Sequence, residues 1–189
     1  MAQNFQPVLI FVVQSLNSQS SKKIRSITAW VPWLSYYDAR SGLSAEQNWA
    51  IGWLQTRLAV ENPDYPVMPN LIGSWHTLGP GEPIAFNNVS GFRSGPIVPI
   101  LHDQNGDPVA TDSPVWTGTN NDGSIKGNGV DNQCALIFST TYPNASWSSR
   151  DFLVKGSIGA VGALGSNWTD YGTQPCSKTA RIYCISVKK

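Results

Sequence analysis

The chain has 189 residues, of which 41% are hydrophobic and 11% aromatic, enough apolar material for one well-filled domain. Its 17 Gly and 13 Pro follow no period, and only 13% of residues are charged, which excludes a coiled coil, a collagen repeat and a disordered tail. The net charge of +1 excludes the broad positive field with which nucleic-acid binders gather phosphates. We therefore expect one domain over residues 1–189 and no nucleic-acid partner.

The first predicted element is a strand over residues 8–16, which are rich in Val, Ile and Phe and lead into the polar stretch NSQSSKK. The apolar run from Val8 to Val13 is far shorter than the roughly 20 residues that span a bilayer. The preceding MAQNFQP carries no positive charge. We therefore expect neither membrane insertion nor a signal peptide in this chain.

The next predicted element is a helix over residues 44–60. Ser44 and Gln47 fit a capping box, apolar residues then recur at helical spacing, and Pro63 forces the chain out of the helix. Residues 71–78 are predicted as a second, short helix bearing Trp75.

The remainder of the chain, from Tyr65 onward, holds its apolar residues in short packets separated by Gly, Asn, Asp and Pro. The packets at residues 96–101, 115–116 and 182–187 predict short strands between long loops. An all-β sandwich is the rival interpretation. The early helix and the uneven spacing of the strands favour a mixed α+β domain.

Several segments match, in order, one known family. These are NFQPVLIFVVQSLNSQSSKKIRSI, ARSGLSAEQNWAIGWLQTRL, PVMPNLIGSWHTL and VWTGTNNDG, together with the closing pattern of residues 159–164, Cys176-Ser177 and residues 182–185. Over nearly its whole length the chain resembles the endostatin domain of collagens, a branch of the C-type-lectin-like fold. The resemblance implies an α+β domain with one main helix, short mixed strands and long loops, and a non-enzymatic recognition or adhesion role.

The three cysteines also follow this resemblance. It implies a disulfide between Cys134 and Cys176, the inner of the family's two nested bridges. Cys184 matches half of the outer bridge, whose other half should lie near residues 34–37, where the chain has no Cys. Cys184 is therefore expected to be a free thiol, either buried or paired with a second chain.

Zinc and catalysis are not expected. Endostatins can bind zinc through histidines at positions that Ala2 and Ile10 occupy here, so no zinc site carries over. The two histidines, His76 and His102, stand in no hydrolase or metalloprotease motif. We interpret both as structural imidazoles and expect neither an enzyme nor a cofactor.

Calcium-dependent sugar binding is also not expected. Asp103, Asn105 and Asp107 alternate as calcium ligands do, but Pro108 replaces the Gly of an EF-hand turn. The stretch is better interpreted as an Asx-rich turn with Gly106 at positive φ. The triplets at residues 82–84 and 168–170 only approach the sugar motifs Glu-Pro-Asn and Trp-Asn-Asp.

Two sets of residues are candidates for binding. The resemblance implies that a small basic group contacts sulfated polysaccharide, although plain solubilising charge explains it equally well; its members are Lys22, Lys23, Arg25 and Arg57. Four tryptophans among loop residues are candidates for an aromatic recognition surface, namely Trp30, Trp33, Trp147 and Trp168, of which the last two are the predicted binding residues. Trp75 and Trp116 are predicted to lie in the core.

The leading hypothesis is an extracellular or cell-surface module of endostatin type that displays the loops of residues 120–170 to a glycan or protein. The alternative is a structural, decoration or receptor-binding protein of a virus or phage particle that uses the same fold. Either role is compatible with a homo-oligomer.

Overall fold

The computed structural model describes residues 9–15, 29–33, 74–78, 80–88, 91–121, 126, 132–134, 147 and 149–187. The predicted helix over residues 44–60 lies outside these residues. No helix in the described part of the chain is long and apolar enough to cross a membrane.

Short strands dominate the described secondary structure. The strands are β1 (Leu9–Ser15), β2 (Ala29–Pro32), β3 (Ser74–Thr77), β4 (Ile84–Phe86), β5 (Pro114–Trp116), β6 (Lys155–Ala160), β7 (Gly172–Pro175) and β8 (Arg181–Val187). A short helix, α1 (Gly91–Ser94), follows β4, and a 3-10 helix (Gly165–Trp168) lies between β6 and β7. Strands of both directions with a helix are consistent with an α+β domain, the fold class that the sequence predicts.

The strands form a single mixed sheet with β8 at its centre, in the order β4-β3-β1-β8-β5-β6-β7. On one edge of β8, β1 runs parallel to it from Leu9 opposite Ile182 to Val12 opposite Ile185. The other edge is shared, since β5 pairs with residues 181–182 in parallel and β2 pairs with residues 184–187 in antiparallel. The first and last described strands are therefore neighbours in the middle of the sheet.

Residues 74–77, which belong to the segment that the sequence predicts as a second short helix, form the strand β3. Trp75 and Thr77 are buried while Ser74 and His76 are half-buried, which is the alternation of a strand with one face on the core. β3 pairs antiparallel with β1, so that Val12 lies opposite Thr77. Where the structure describes this segment, from residue 74 on, the prediction of a helix is wrong, because pairing with β1 and the burial of Trp75 outweigh the local spacing.

The three apolar packets have different outcomes. Residues 115–116 lie in β5 and residues 182–187 in β8, as predicted. Residues 96–101 form no strand: Ile97 N–H donates to Ala85 O at 2.9 Å, and Ile100 O accepts from Gly162 N–H at 3.2 Å. Pro96 and Pro99 have no N–H to donate to a strand ladder, so this packet forms a loop in which Ile100 is buried in the core and Ile97 is exposed.

The main described core is a cluster of aromatic rings packed against β8. Its rings belong to Trp33, Trp75, Phe86, Phe92, Trp168 and Tyr183. Phe92, from α1, stacks on Phe86 with ring centroids 4.1 Å apart and on Trp33 at 5.4 Å. Tyr183 brings its hydroxyl into this core and donates to Ala160 O at 3.1 Å, so the buried polar group is satisfied.

Candidate recognition surface

Trp168, predicted from its loop setting as a recognition residue, belongs to the core. Its exposure is 0%, and its ring centroid lies 5.0 Å from that of Trp33 and 5.3 Å from that of Tyr183. Trp33, another member of the candidate aromatic set, is also buried. The prediction is wrong for both residues, because the 3-10 helix directs the indole of Trp168 into the aromatic core and Trp33, directly after β2, places its indole there too.

The disulfide between Cys134 and Cys176 is present, with Cα atoms 5.6 Å apart. The bridge lies in a second apolar cluster with Trp116 and Ile158, which face each other across β5 and β6. Gly156 lies under this cluster, where a Cβ would come within 2.7 Å of both Cys134 Sγ and the Trp116 ring. The implied pairing is confirmed, and only glycine at position 156 leaves it room.

Trp147, the other predicted binding tryptophan, is half-buried and packs on this cluster. Its ring lies 5.7 Å from that of Trp116, so one side of the indole is supported while part of it meets solvent. The backbone at Trp147 has φ 60°, a conformation that bulky residues rarely adopt. Trp147 N–H donates to Gln133 O at 2.6 Å, and Cys134 O accepts from Ser149 N–H at 2.7 Å, which holds the conformation.

Positive φ angles concentrate near the disulfide. Five described non-glycine residues have φ in the left-handed region, and three of them, Asn132, Cys134 and Trp147, lie here. Each such residue costs on the order of 1–3 kcal/mol. Strain of this kind persists where the surroundings fix the backbone, and it concentrates at functional sites.

A loop next to Trp147 exposes two adjacent apolar side chains. Phe152 is 67% exposed and Leu153 is 73% exposed. The loop is anchored on both sides, because Asp151 N–H donates to Ser149 Oγ at 3.1 Å and Val154 O accepts from Cys176 N–H at 2.8 Å. We call this surface the disulfide rim and define it as Cys134, Trp147, residues 149–155 and residues 176–178.

The rim carries three exposed cations, Arg150, Lys155 and Lys178. Lys155 pairs with Pro175 across the β6–β7 ladder, and Lys178 N–H donates to Pro175 O at 3.0 Å, so these two lysines belong to the same end of the hairpin. None of the three cations forms an ion pair with another described residue. These three cations were not among the binding residues predicted from the sequence. The signal for two of them is the segment RDFLVK, in which Arg150 and Lys155 flank the apolar pair Phe152 and Leu153.

Cys184, the third cysteine, is a free thiol with 4% exposure in the central strand β8. It lies opposite Phe11 of β1 and Pro32 of β2. Burial raises the pKa of this thiol from 9.0 to about 12, so it stays protonated and unreactive near neutral pH. Of the two states left open by the sequence, the buried free thiol is the one found within the described residues.

The triplet of residues 168–170, which approaches a sugar motif, lies against the loop after β5. The carboxylate of Asp170 forms an ion pair with Lys126. Thr117 Oγ1–H donates to Thr169 O at 2.6 Å, and Thr169 Oγ1–H donates to Asn120 O at 3.3 Å. The carboxylate that the motif would offer to a calcium ion is thus already paired with the ammonium group of Lys126.

The stretch of residues 103–107 forms the Asx-rich turn that the sequence predicts. Asp103 Oδ1 accepts from Asn105 N–H at 2.8 Å and from Asp107 N–H at 3.1 Å. Gly106 has φ 82°, as the turn requires. Among the described residues, no group of three or more His, Cys, Asp and Glu side chains is placed to hold a metal ion.

His76 is engaged on both ring nitrogens. Nδ1–H donates to Glu82 O at 2.6 Å, which leaves Nε2 to accept from Ser74 Oγ–H at 3.1 Å. Glu82 lies in the β3–β4 connection with φ 40°, so the imidazole ties this hairpin together. His102 is half-buried and forms a bridge with Pro108 across the Asx-rich turn.

The basic group of Lys22, Lys23, Arg25 and Arg57 lies outside the described residues. A scan of the chain against protein-family models, a search of curated proteins and a search of solved structures each found no match.

Proposed function

We propose that the chain is a non-enzymatic surface-recognition or adhesion module of endostatin type, which binds a glycan or a protein through the disulfide rim. The observation that carries the proposal is Trp147, an aromatic ring held half-buried on a strained, hydrogen-bonded backbone beside the disulfide. Rigid aromatic side chains at the centre of a contact surface dominate binding free energy. A preorganised ring also loses little entropy when a partner binds.

Two features of the fold support the endostatin type. The first and last described strands lie side by side at the centre of the sheet, and Cys134 is bonded to Cys176, the inner pair that the resemblance implies. The fold is C-type-lectin-like in this proposal, with loops displayed from a mixed sheet. The disulfide supports an extracellular or surface location, because such bridges persist in oxidising compartments.

The absence of catalysis in this proposal is supported by the two histidines, since His76 is committed to the β3–β4 hairpin and His102 to a turn. The basic group of Lys22, Lys23, Arg25 and Arg57 is proposed as a second contact, for sulfated polysaccharide. Exposed ion pairs of this kind are screened over about 8–10 Å at physiological ionic strength. Their contribution falls as salt rises.

A glycan array and a heparin column would test the proposal on three proteins: the unaltered chain, Trp147→Ala, and Lys22→Ala/Lys23→Ala/Arg25→Ala. Removing an anchoring ring should weaken binding at the rim by about 2 kcal/mol, roughly thirtyfold. The triple variant should lose the salt-sensitive part of heparin retention with little change in melting temperature. Unchanged binding by both variants would refute the proposal.

A structural or decoration role in a virus or phage particle is the second candidate function. The observation that favours it is the free Cys184, because the chain carries one staple where an endostatin has two. An assembly protein should form defined oligomers by itself. Native mass measurement without ligand, combined with the glycan array, separates the two functions: an assembly protein should form defined oligomers and retain no glycan, whereas a recognition module should retain a glycan in any oligomeric state.

A further inference from the structure

The tip of the disulfide rim exposes more apolar surface than a solvated loop needs. Phe152 and Leu153, at 67% and 73% exposure, are the most exposed of the large apolar side chains in the described part of the chain. They are adjacent, so together they form one apolar tip. Val154, the next residue, is half-buried against the disulfide cluster.

Hydrogen bonds hold this tip in an outward conformation. Leu153 N–H donates to Asp151 Oδ1 at 2.9 Å, which closes a local turn, and Asp151 N–H donates to Ser149 Oγ at 3.1 Å. Ser149 is tied in turn to Cys134 O, and Val154 to Cys176. These hydrogen bonds fix the backbone of the tip, and both apolar side chains lie in solvent.

Positive charge surrounds the tip. Arg150 precedes Phe152 by two residues, Lys155 follows Leu153 by two, and Lys178 lies at the same end of the β6–β7 hairpin. Asp151 is the one acidic residue among the described residues of the rim, and its Oδ1 already accepts from Leu153 N–H. The described rim therefore presents three cations around an apolar pair.

We propose that this tip docks on the surface of an anionic lipid bilayer, with Phe152 and Leu153 entering the headgroup region and the three cations contacting lipid phosphates and carboxylates. A bilayer fits better than a protein cleft because it accepts a protruding side chain without a matching cavity. Apolar insertion and electrostatic attraction are each weak alone and add when combined. The apolar run from Val8 to Val13 is too short to span a bilayer, whereas docking at the surface requires insertion of only two apolar side chains beside the cations.

The test is sedimentation of the disulfide-intact chain with phosphatidylcholine vesicles, with and without about 30 mol% phosphatidylserine. Binding should require the anionic lipid and should fall as salt rises. Phe152→Ser/Leu153→Ser should reduce binding at least about tenfold. Lys155→Ala/Lys178→Ala should reduce it about fivefold for each cation removed. Ile97→Ser/Leu164→Ser, which removes exposed apolar residues elsewhere, is the matched control and should bind like the unaltered chain.

A second readout does not depend on loss of binding. Cys184 is buried, so Leu153→Cys can be labelled selectively on the native protein with an environment-sensitive dye. Its emission should shift to the blue with anionic vesicles and stay unchanged with neutral ones.

Each of the following results would overturn the inference: no binding to anionic vesicles, equal binding by the Phe152/Leu153 double variant, or dye emission that does not change when anionic vesicles are added. Self-association lost in the double variant, without vesicle binding, would assign the tip to a second copy and also overturn it. The inference goes beyond the proposed function and can fail separately. Heparin or glycan binding that needs Trp147 but not Phe152 and Leu153, in a chain that ignores vesicles, leaves the recognition module intact.

Discussion

At the scale of single residues, burial determines the reactivity of the Cys184 thiol. A thiol with 4% exposure in the central strand should not react with a thiol reagent in the native protein. Under denaturing, non-reducing conditions exactly one thiol per chain should be titrated, because Cys134 and Cys176 are bonded to each other. Counting thiols in both states with a chromogenic disulfide reagent checks this. Three reactive groups after denaturation would contradict the bridge.

The same burial makes the fold sensitive to alkali. The pKa of Cys184 is 9.0 when exposed and about 12 in the fold, so the unfolded chain releases this proton first as pH rises. The contribution of the protonated thiol to the free energy of unfolding is therefore complete below pH 9.0 and is lost as the pH approaches about 12. Burial also raises the pKa of Tyr183, in the same direction. Melting curves above neutral pH should show a shallower decline for Cys184→Ala than for the unaltered chain; equal slopes would count against this assignment.

Because Trp168 is buried, we expect its substitution to lower stability and not to affect partner binding directly. Trp168→Ala should lower the free energy of unfolding by about 3–5 kcal/mol, because it opens a cavity among Trp33, Phe86 and Tyr183. Trp168→Phe should cost far less, since the indole N–H finds no acceptor among the described residues and a ring still fills the site. Chemical denaturation of both variants provides the comparison. If Trp168→Ala no longer bound the partner but kept the unfolding free energy of the unaltered chain, Trp168 would be a binding residue, as the sequence predicts.

At the scale of elements, β6 depends on small residues because it is covered on both faces. Gly156 faces the disulfide cluster, and Gly159, on the opposite face, lies under the 3-10 helix, where a Cβ would come within 1.8 Å of Trp168 O. Gly159→Ala should therefore cost at least about 2 kcal/mol of stability, because backbone must move to accept it. Gly172→Ala in β7 is the matched control, since a Cβ there has nothing within 4 Å. Equal melting temperatures for the two variants would show that the 3-10 helix is not packed on β6 in this way.

At the scale of the whole molecule, the disulfide connects segments 42 residues apart. Closing a loop of that length lowers the conformational entropy of the unfolded chain. Removing the disulfide with Cys134→Ala/Cys176→Ala should therefore lower the free energy of unfolding by about 2–4 kcal/mol. The rim should loosen before the sheet does, because the aromatic core around Phe92 contains neither bonded cysteine. Denaturation of the double variant, compared with the unaltered chain in reductant, measures this. If the double variant and the reduced chain were each as stable as the chain with its disulfide intact, the predicted stabilisation by the bridge would be wrong.

Local pattern was enough to predict several parts of this molecule. The run of Val, Ile and Phe over residues 8–16 predicts β1, the packet at residues 182–187 predicts β8, and Asp103 with Gly106 predicts the Asx-rich turn. These features depend on contacts within a few residues, such as a carboxylate reaching the next N–H groups. The pairing of Cys134 with Cys176 came from resemblance and was confirmed.

The α+β class, the first and last strands of the chain and the Asx-rich turn could thus be predicted from the sequence, because strand and turn patterns depend on residues close together in the chain. The tertiary structure was needed to show that residues 74–77 extend beside β1, that Trp168 turns inward, and that Phe152 and Leu153 stay in solvent between cations. The physical reason is that burial is a property of a residue's neighbours in space. Two tryptophans in similar sequence contexts therefore diverge: among the described residues, Phe92 of α1 and Tyr183 of β8 enclose Trp168, whereas Trp147 packs on the edge of the disulfide cluster.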